Sequence, residues 1–257
     1  MTTKGRRLAL ALAVSLAPLS PVALSPAAAQ VASEAPPQID PSQTVRGVVA
    51  KYLEFRGPAY LQLQSIHERY YVETQLGRQS GGLWMDRDGH FRREINAGGV
   101  RAVSVATPDG AWRSDGTSSA QNDPGASERA RRYALVAFGD ALTGRGGATV
   151  TLAGTAQVMD KSWSVLRVTF GDADAYEALI DPENGLLCCY RITEGGQTRL
   201  ELFGDWRLVD GVRMPFVQIT HTSGDVQAEV GMVELNRPFD PTLFQRPPAM
   251  GGSSAGG

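Results

Sequence analysis

Apolar and polar side chains alternate with a period of two from residue 197 to residue 209 and again from 212 to 220. A period of two places successive side chains on opposite faces of a β-strand. The intervening Asp210-Gly211 is typical of a hairpin turn, because glycine accepts a positive φ angle. The pattern therefore predicts a β-hairpin with one polar face and one apolar face. The residues assigned to the apolar face are Leu200, Leu202, Trp206, Leu208, Val212, Met214 and Phe216.

The same period of two recurs through most of the remaining chain, in short segments separated by turn residues. Consecutive strands that are joined by tight turns are antiparallel neighbours, so the segments predict a meander. A polar loop interrupts this meander near its middle. The predicted strands are 66–74, 82–86, 91–95, 100–106 and 111–113 before the loop, and 150–158, 163–170, 176–181, 186–193 and 226–234 after it.

Helical spacing of apolar residues replaces the period of two in two places. The first helix begins after the cap sequence at 40–43 and ends at Gly57-Pro58, with a second short helix over 58–63. The second helix spans 126–142, begins after Asp123-Pro124, and carries three arginines near its start. These arginines oppose the helix dipole, so we expect packing to hold this helix in place. A last helical turn is predicted after Asp240-Pro241.

These elements predict an α+β fold that is mainly antiparallel β. Each helix has one apolar stripe, which must lie on the apolar side of the sheet. We therefore expect a curved sheet that forms a half-open barrel, with helices covering its concave face.

The N-terminus has the pattern of a secretory signal peptide. Lys4, Arg6 and Arg7 precede an apolar run, and a small-residue cleavage site ends at residue 29. A retained membrane anchor is the alternative, but three prolines interrupt the run before it reaches the roughly 20 apolar residues of a span. We thus expect a signal peptide at 1–29, a flexible leader at 30–39, a single domain at 40–248 and a disordered tail at 249–257. The mature protein is expected in the periplasm and not as an integral membrane protein.

The net charge limits the classes of binding partner, and the cysteine content limits the use of disulfide bonds in the fold. Removal of the three basic residues of the signal leaves 22 basic and 27 acidic residues, a net charge of −5. Nucleic acid is therefore not expected as a partner. The only two cysteines, Cys188 and Cys189, are adjacent, so we expect free thiols on opposite faces of a strand.

The sequence contains no catalytic motif in the structural context that catalysis requires. The Gly-x-Ser-x-Gly at 252–256 lies in the tail, without the strand and helix that a nucleophile elbow needs. A zinc or acid/base site would require the fold to gather His67, His90 and His221. We therefore predict no catalytic residue, no metal site and no cofactor, and do not expect an enzyme.

Several turn and strand motifs mark the second half of the chain: the run from Asp181 to Leu186, Asp205-Trp206, the run from Val209 to Phe216, Asn236, Phe239-Asp240, Leu243-Phe244 and Pro247. With these motifs the chain resembles the periplasmic lipoprotein-carrier (LolA/LolB-like) superfamily, mainly over residues 163–248. The resemblance implies a half-barrel with a helical lid over an apolar cavity that holds acyl chains, in the periplasm, without a cofactor. Its motifs are features of turns and strands, which identify a fold more strongly than an activity.

The main hypothesis is a soluble periplasmic carrier or binder of a lipid, a lipoprotein or another amphiphile, whose partner is a lipid or an acylated protein. The alternative is a non-enzymatic envelope interaction or assembly module with a filled core and an envelope protein as partner. Arg93 either points inward to meet a polar head group or extends along the sheet to water. The predicted cavity residues are Tyr70, Val72, Leu83, Met85, Phe91, Arg93, Ile95, Tyr133, Phe138, Val168, Phe170, Tyr176, Trp206, Met214 and Phe216.

Overall fold

The structure is a computed structural model that describes residues 44–74, 77–115, 121–123, 125–171, 175–194, 196–221 and 225–247. The predicted signal peptide, leader and C-terminal tail lie outside these residues. The cap sequence predicted at 40–43 also lies outside them.

Thirteen antiparallel strands form one sheet in the order β6-β5-β4-β3-β2-β1-β13-β12-β11-β10-β9-β8-β7. Every predicted strand is present, with ends shifted by a few residues. The strands are β1 Ser65–Thr74, β2 Gly77–Asp86, β3 Phe91–Ala97, β4 Val100–Thr107, β5 Gly110–Ser114, β6 Gln121–Asn122, β7 Thr149–Val158, β8 Lys161–Thr169, β9 Ala175–Ile180, β10 Leu187–Glu194, β11 Gln197–Val209, β12 Val212–His221 and β13 Asp225–Leu235.

The order of the strands explains why a helix lies across the sheet. The chain runs outward from β1 to the edge strand β6 and resumes at the opposite edge with β7. It then returns inward to β13, which pairs with β1 along residues 66–73. The connection from one edge to the other must therefore cross a face of the sheet. That connection carries the helix α2, Ala126–Ala137.

The helix α1, Val45–Arg56, precedes the sheet and packs against β12, β7 and β8. The Thr44 side chain caps its start by accepting a hydrogen bond from the backbone N–H of Gly47, at 3.1 Å. Gly57 ends the helix with a φ of 100°. A single 3₁₀ turn, Tyr60–Gln62, follows it. The predicted end at Gly57 and the short second helix are confirmed.

The helix α2 differs from the prediction at both ends. Its N-cap is Gly125 and not Asp123, which instead accepts a hydrogen bond from Arg129 at 3.0 Å. The α-helical part ends at Ala137, because Gly139 has a φ of 75°, and only a 3₁₀ turn, Ala141–Thr143, continues. The unfavourable charge at its start is also balanced locally. Glu128 accepts hydrogen bonds from Arg131 and Arg132 at 2.8 to 3.0 Å.

The largest core cluster lies between the helices and one face of the sheet. It includes Tyr52 of α1, Phe138 directly after α2, and Leu166 and Tyr176 from the strands, all fully buried or nearly so. The fold class is confirmed as mainly antiparallel β, an open sheet that matches the half-open barrel, with helices covering one face.

The opposite, outer face of the sheet is not uniformly polar, which corrects the prediction for the hairpin. Leu200 and Leu202 of β11 pack in an outer cluster around Trp163 and Val165, whereas Trp206 joins the helix-covered core. Asp205 has a φ of 49°, which interrupts the alternation between these residues. Leu208 remains 69% exposed. The strand β11 therefore contributes apolar side chains to both faces of the sheet.

A second outer cluster is covered by the end of the chain. The 3₁₀ turn Pro241–Phe244 begins after Asp240, as predicted, and the Asp240 side chain accepts a hydrogen bond from the Thr242 backbone at 2.9 Å. Phe244 packs there against Val103 and Val105. The outer face of β3 and β4 is thus buried by the C-terminal segment.

The two cysteines are buried thiols that are not joined in a disulfide, and they lie in the same outer cluster. The pairing of β10 with β9 shifts register between Leu187 and Cys189. This β-bulge adds one residue to the strand and breaks the strict alternation of faces. The expectation that the cysteines point to opposite faces is therefore wrong.

Candidate functional site

A small cavity lies between α2 and the centre of the sheet. The last turns of α2 form part of its lining, and the end of α1 closes another side. Most of the lining is apolar, and a few polar side chains converge on one region of it. The lining residues are Arg56, Ile66, Glu68, Leu83, Met85, Tyr133, Val136, Ala137, Leu187, Tyr190, Phe203, Trp206, Met214, Pro215 and Gln218.

The volume of this cavity is about 60 Å³. Sites for small organic ligands usually measure roughly 300 to 1,000 Å³, so this space holds only a few water-sized groups. A hydrocarbon chain therefore fits beneath α2 only if the helix moves away from the sheet.

Arg56, at the last position of α1, is a buried cation that is only 5% exposed. Its Nη1 donates to the Tyr52 hydroxyl at 2.8 Å, and its Nη2 lies 3.4 Å from the Met214 sulfur. The guanidinium carbon lies 3.9 Å from the centre of the Tyr60 ring. Its Nε atom has no hydrogen-bond partner. Aromatic rings and neutral acceptors therefore surround this charge.

Trp206 lines the same part of the cavity as Arg56. Like Arg56, it carries a buried hydrogen-bond donor without a partner. Its indole Nε1 is buried without a hydrogen-bond partner. The ring packs edge-on against Phe55 with centroids 5.2 Å apart, and the Arg56 guanidinium lies 5.4 Å from the ring centre. Buried polar groups in folded proteins are nearly always hydrogen-bonded. Two orphaned N–H donors on neighbouring residues are therefore unusual.

Glu68 places a carboxyl group in the same apolar surroundings. It is 5% exposed and is hydrogen-bonded to Gln218. Burial raises the pKa of Glu68 to about 7, although Gln218, Arg56 and Arg93 act in the opposite direction. The neutral and charged forms therefore coexist near neutral pH.

Arg93 points to the helix-covered face, which is the inward orientation considered from the sequence. Its Nε donates to the Tyr70 hydroxyl at 3.0 Å, and that hydroxyl donates to the Glu94 carbonyl at 3.2 Å. Tyr133 of α2 lies close enough to interact with it electrostatically, and burial raises the pKa of Tyr133 far above its usual value. A role for Arg93 in binding a head group remains a prediction.

Polar contacts hold the C-terminal end of α2 against the rest of the protein. The Tyr60 hydroxyl donates to the Ala137 carbonyl at 2.9 Å. Asp140, just after the helix, accepts hydrogen bonds from Arg87 at 2.9 Å and Arg145 at 3.2 Å. Arg87 also donates to the carbonyls of Leu61 and Leu63. This end of the helix is therefore anchored.

Five of the residues predicted for the cavity line it: Leu83, Met85, Tyr133, Trp206 and Met214. Ile95 is buried, but it lies outside the large core cluster. Phe91 packs against that cluster from a partly buried position. The other predicted apolar residues lie buried in it, namely Tyr70, Val72, Phe138, Val168, Phe170, Tyr176 and Phe216.

Sequence reasoning missed the polar residues of the cavity. One signal was available for Glu68, which has the same strand parity as Ile66, Tyr70 and Val72 and must therefore share their face. Arg56 follows Tyr52 by one helical turn and so continues the apolar stripe of α1. The same signal was available for Gln218, which has the strand parity of Met214 and Phe216 on β12.

The three histidines lie apart in the topology. His67 is on β1 and contacts Glu234 at 2.7 Å, His90 follows the turn after β2 and contacts Asp86 at 2.9 Å, and His221 ends β12. Among the described residues, no group of three or more potential metal ligands comes together. Neither of the two helices in the described ranges has the length and apolar character that a bilayer crossing requires.

The chain matches no protein-family model and no curated protein sequence. Its structure is similar to that of a LolA superfamily protein from Nitrosomonas europaea, with 13% identity, a TM-score of 0.53, and coverage of 79% of this chain and 98% of the other. It is also similar to a DUF1329 family protein from Desulfovibrio piger, with 9% identity, a TM-score of 0.54, and the same two coverages. The resemblance seen in the sequence is therefore confirmed at the level of the fold: the chain has a LolA-like fold.

Proposed function

We propose that this protein is an exported, non-catalytic carrier or binder of an amphiphile, which it holds between α2 and the sheet. The observation that carries the proposal is the mainly apolar cavity that α2 lines with Tyr133, Val136 and Ala137. The LolA-like fold supports the same function, because the resemblance implies a helical lid over a cavity for acyl chains. The signal-like N-terminus supports a periplasmic location.

The energy of binding would come mainly from burial of hydrocarbon. An acyl chain that buries on the order of 300 Å² contributes about 7 kcal/mol at roughly 25 cal/mol per Å². Part of this offsets the displacement of α2 and the ordering of the chain. Binding is therefore coupled to opening of the lid.

Glycines flank α2 on both sides, and we place the pivots of a moving helix at these positions. Gly125 precedes it with a φ of 83°, and Gly139 and Gly144 follow it with φ angles of 75° and 76°. Because Asp140 anchors the C-terminal side, opening requires either a pivot about this point or the loss of its contacts. The anchor should therefore limit the rate at which ligand enters.

The variant Asp140→Asn tests this anchor. Asp140 is buried, and its loss of charge leaves Arg87 and Arg145 without a counter-ion, so we expect a stability loss of about 1–3 kcal/mol. We also expect several-fold faster association and dissociation of a fluorescent fatty acid in stopped-flow measurements. Glu177→Gln is the control, since it weakens a pair with Arg191 at 3.1 Å on the outer face of the sheet. Unchanged exchange rates in the Asp140 variant would show that α2 is not the gate.

The proposed function is tested by purifying the protein from the periplasm with any bound ligand retained. Mass spectrometry of an organic extract of the purified protein should reveal bound lipid, and the emptied protein should take up acyl probes. A protein that carries no lipid and binds no acyl probe would contradict the proposal.

The small volume of the cavity favours one alternative, an envelope interaction module with a filled core. Crosslinking in cells followed by mass spectrometry distinguishes the two. A stoichiometric protein partner, together with failure to bind any acyl probe, would support the module. Bound lipid would support the carrier.

A further inference from the structure

We propose that the ligand enters the cavity with its polar end first and that this end is a carboxylate, bound by Arg56 and the indole N–H of Trp206. The inference rests on the proposed function and specifies the chemical class of the ligand. The hydrocarbon chain would extend from these donors towards β2, beneath α2.

The first support is the missing counter-ion of Arg56. Among the described residues, no carboxylate lies within ion-pair distance of its guanidinium, whose hydrogen bonds go to a hydroxyl and a sulfur atom. A guanidinium stays charged in proteins, and a buried charge is normally paired. An anionic oxygen group would supply the absent pair and accept a bond from the free Nε.

The second support is the coincidence of two unused donors. Arg56 Nε and Trp206 Nε1 are both buried without partners, on residues that line one cavity. A carboxylate has two oxygens and several lone pairs, so it can accept from both donors at once. An ester offers a weaker, uncharged acceptor, and a hydrocarbon offers none.

The protein's own carboxyl group in this region does not replace the ligand. Glu68 interacts with Arg56 electrostatically, but its hydrogen bond goes to Gln218, and burial favours its neutral form. The other titratable groups that interact with Arg56 are the hydroxyls of Tyr52, Tyr60 and Tyr190. Among the described residues, these groups therefore leave the guanidinium without a carboxylate in direct contact.

The third support is the distance between the two donors and the apolar lining on β2. The donors lie at the end of α1 and on β11, whereas Leu83 and Met85 of β2 are apolar lining residues, with Glu68 of β1 opposite Leu83. Four strand spacings separate β2 from β11 in the sheet, roughly 19 Å at the usual distance between strands. A molecule with a polar head and a long apolar chain matches this arrangement.

The test compares palmitate, its methyl ester and acetate as ligands of the emptied full-length protein, by calorimetry and by displacement of a fluorescent fatty acid. We expect palmitate to bind at least about ten-fold more tightly than the ester, as for a hydrogen-bonded charge. Arg56→Met should abolish this preference, and Trp206→Phe should reduce palmitate affinity several-fold. Arg56→Lys keeps the charge and serves if the methionine variant does not fold.

The control is Trp163→Phe, because Trp163 lies on the outer face and its Nε1 already donates to the Val158 carbonyl at 3.0 Å. It should leave all affinities unchanged. Equal binding of palmitate and its ester by the wild-type protein, or an Arg56→Met variant that keeps the preference for palmitate, would overturn the carboxylate site while the carrier function stands. Acetate binding as tightly as palmitate would also overturn it, in favour of a small-anion site. Failure of every acyl probe would instead reject the carrier function and, with it, this inference.

Discussion

Replacing Glu68 by glutamine is expected to stabilise the protein by about 3 kcal/mol at pH 8 and by almost nothing at pH 4. The carboxyl group is buried, and its pKa is raised from 4.5 to about 7. Between these values the native state keeps a proton that the unfolded state has lost, so the wild-type protein becomes less stable as the pH rises through this window. Glutamine is nearly isosteric with the protonated acid and removes this dependence. Denaturant titrations from pH 4 to pH 8 measure the difference.

A matched control lies on the same strand. Glu73 is exposed and pairs weakly with Arg78 at 3.6 Å, so Glu73→Gln should change the free energy of unfolding little at any pH. If Glu68 instead stabilises the protein as an ion partner of Arg56, glutamine will destabilise it at pH 8. That result would also weaken the proposed carboxylate site, because Arg56 would already have its anion.

Replacing Gly185 by alanine is expected to destabilise the protein by about 3 kcal/mol or more. Gly185 has a φ of 76°, which alone costs an alanine roughly 1–2 kcal/mol. Its new Cβ would also overlap the Lys51 carbonyl of α1, and this backbone atom cannot rotate away. The helix α1 therefore packs directly against the turn from Asp181 to Leu186. For a chain of this size, the midpoint of thermal unfolding should fall by about 10 °C.

Gly171→Ala separates the two contributions. Gly171 has a similar φ of 69°, but no atom lies within 4 Å of the position of a Cβ. We expect it to show only the conformational cost. Equal losses of stability in the two variants would mean that the contact between the turn and α1 contributes nothing.

Much of the fold could be predicted from the local sequence pattern, because strands and turns depend on residues that are close together in the chain. The period of two located every long strand, and Asp-Gly or Gly-Pro sequences located the turns, since these depend on residues that are adjacent in the chain. The prediction was wrong where one backbone angle interrupts the period. Asp205 redirects β11, the bulge at Cys188 places both cysteines on one face, and Gly139 ends α2 early.

The candidate site was only partly accessible, because its polar members come from distant parts of the chain. Arg56 meets Met214 across 158 residues, and the Tyr60 hydroxyl reaches Ala137 across 77. Apolar cavity residues such as Leu83 and Met85 follow from the strand pattern. Which of them surround open space depends on where α2 crosses the sheet.

The sequence by itself determined an antiparallel sheet with two amphipathic helices, because periodicity and turn chemistry act between near neighbours. Only the tertiary structure decided that β1 pairs with β13 and that α2 crosses between the two edges of the sheet. These long-range contacts remove Arg56, Glu68 and Trp206 from water. Burial depends on contacts between distant segments of the folded chain. An unpaired buried charge or a shifted pKa therefore cannot be predicted from the sequence of one segment.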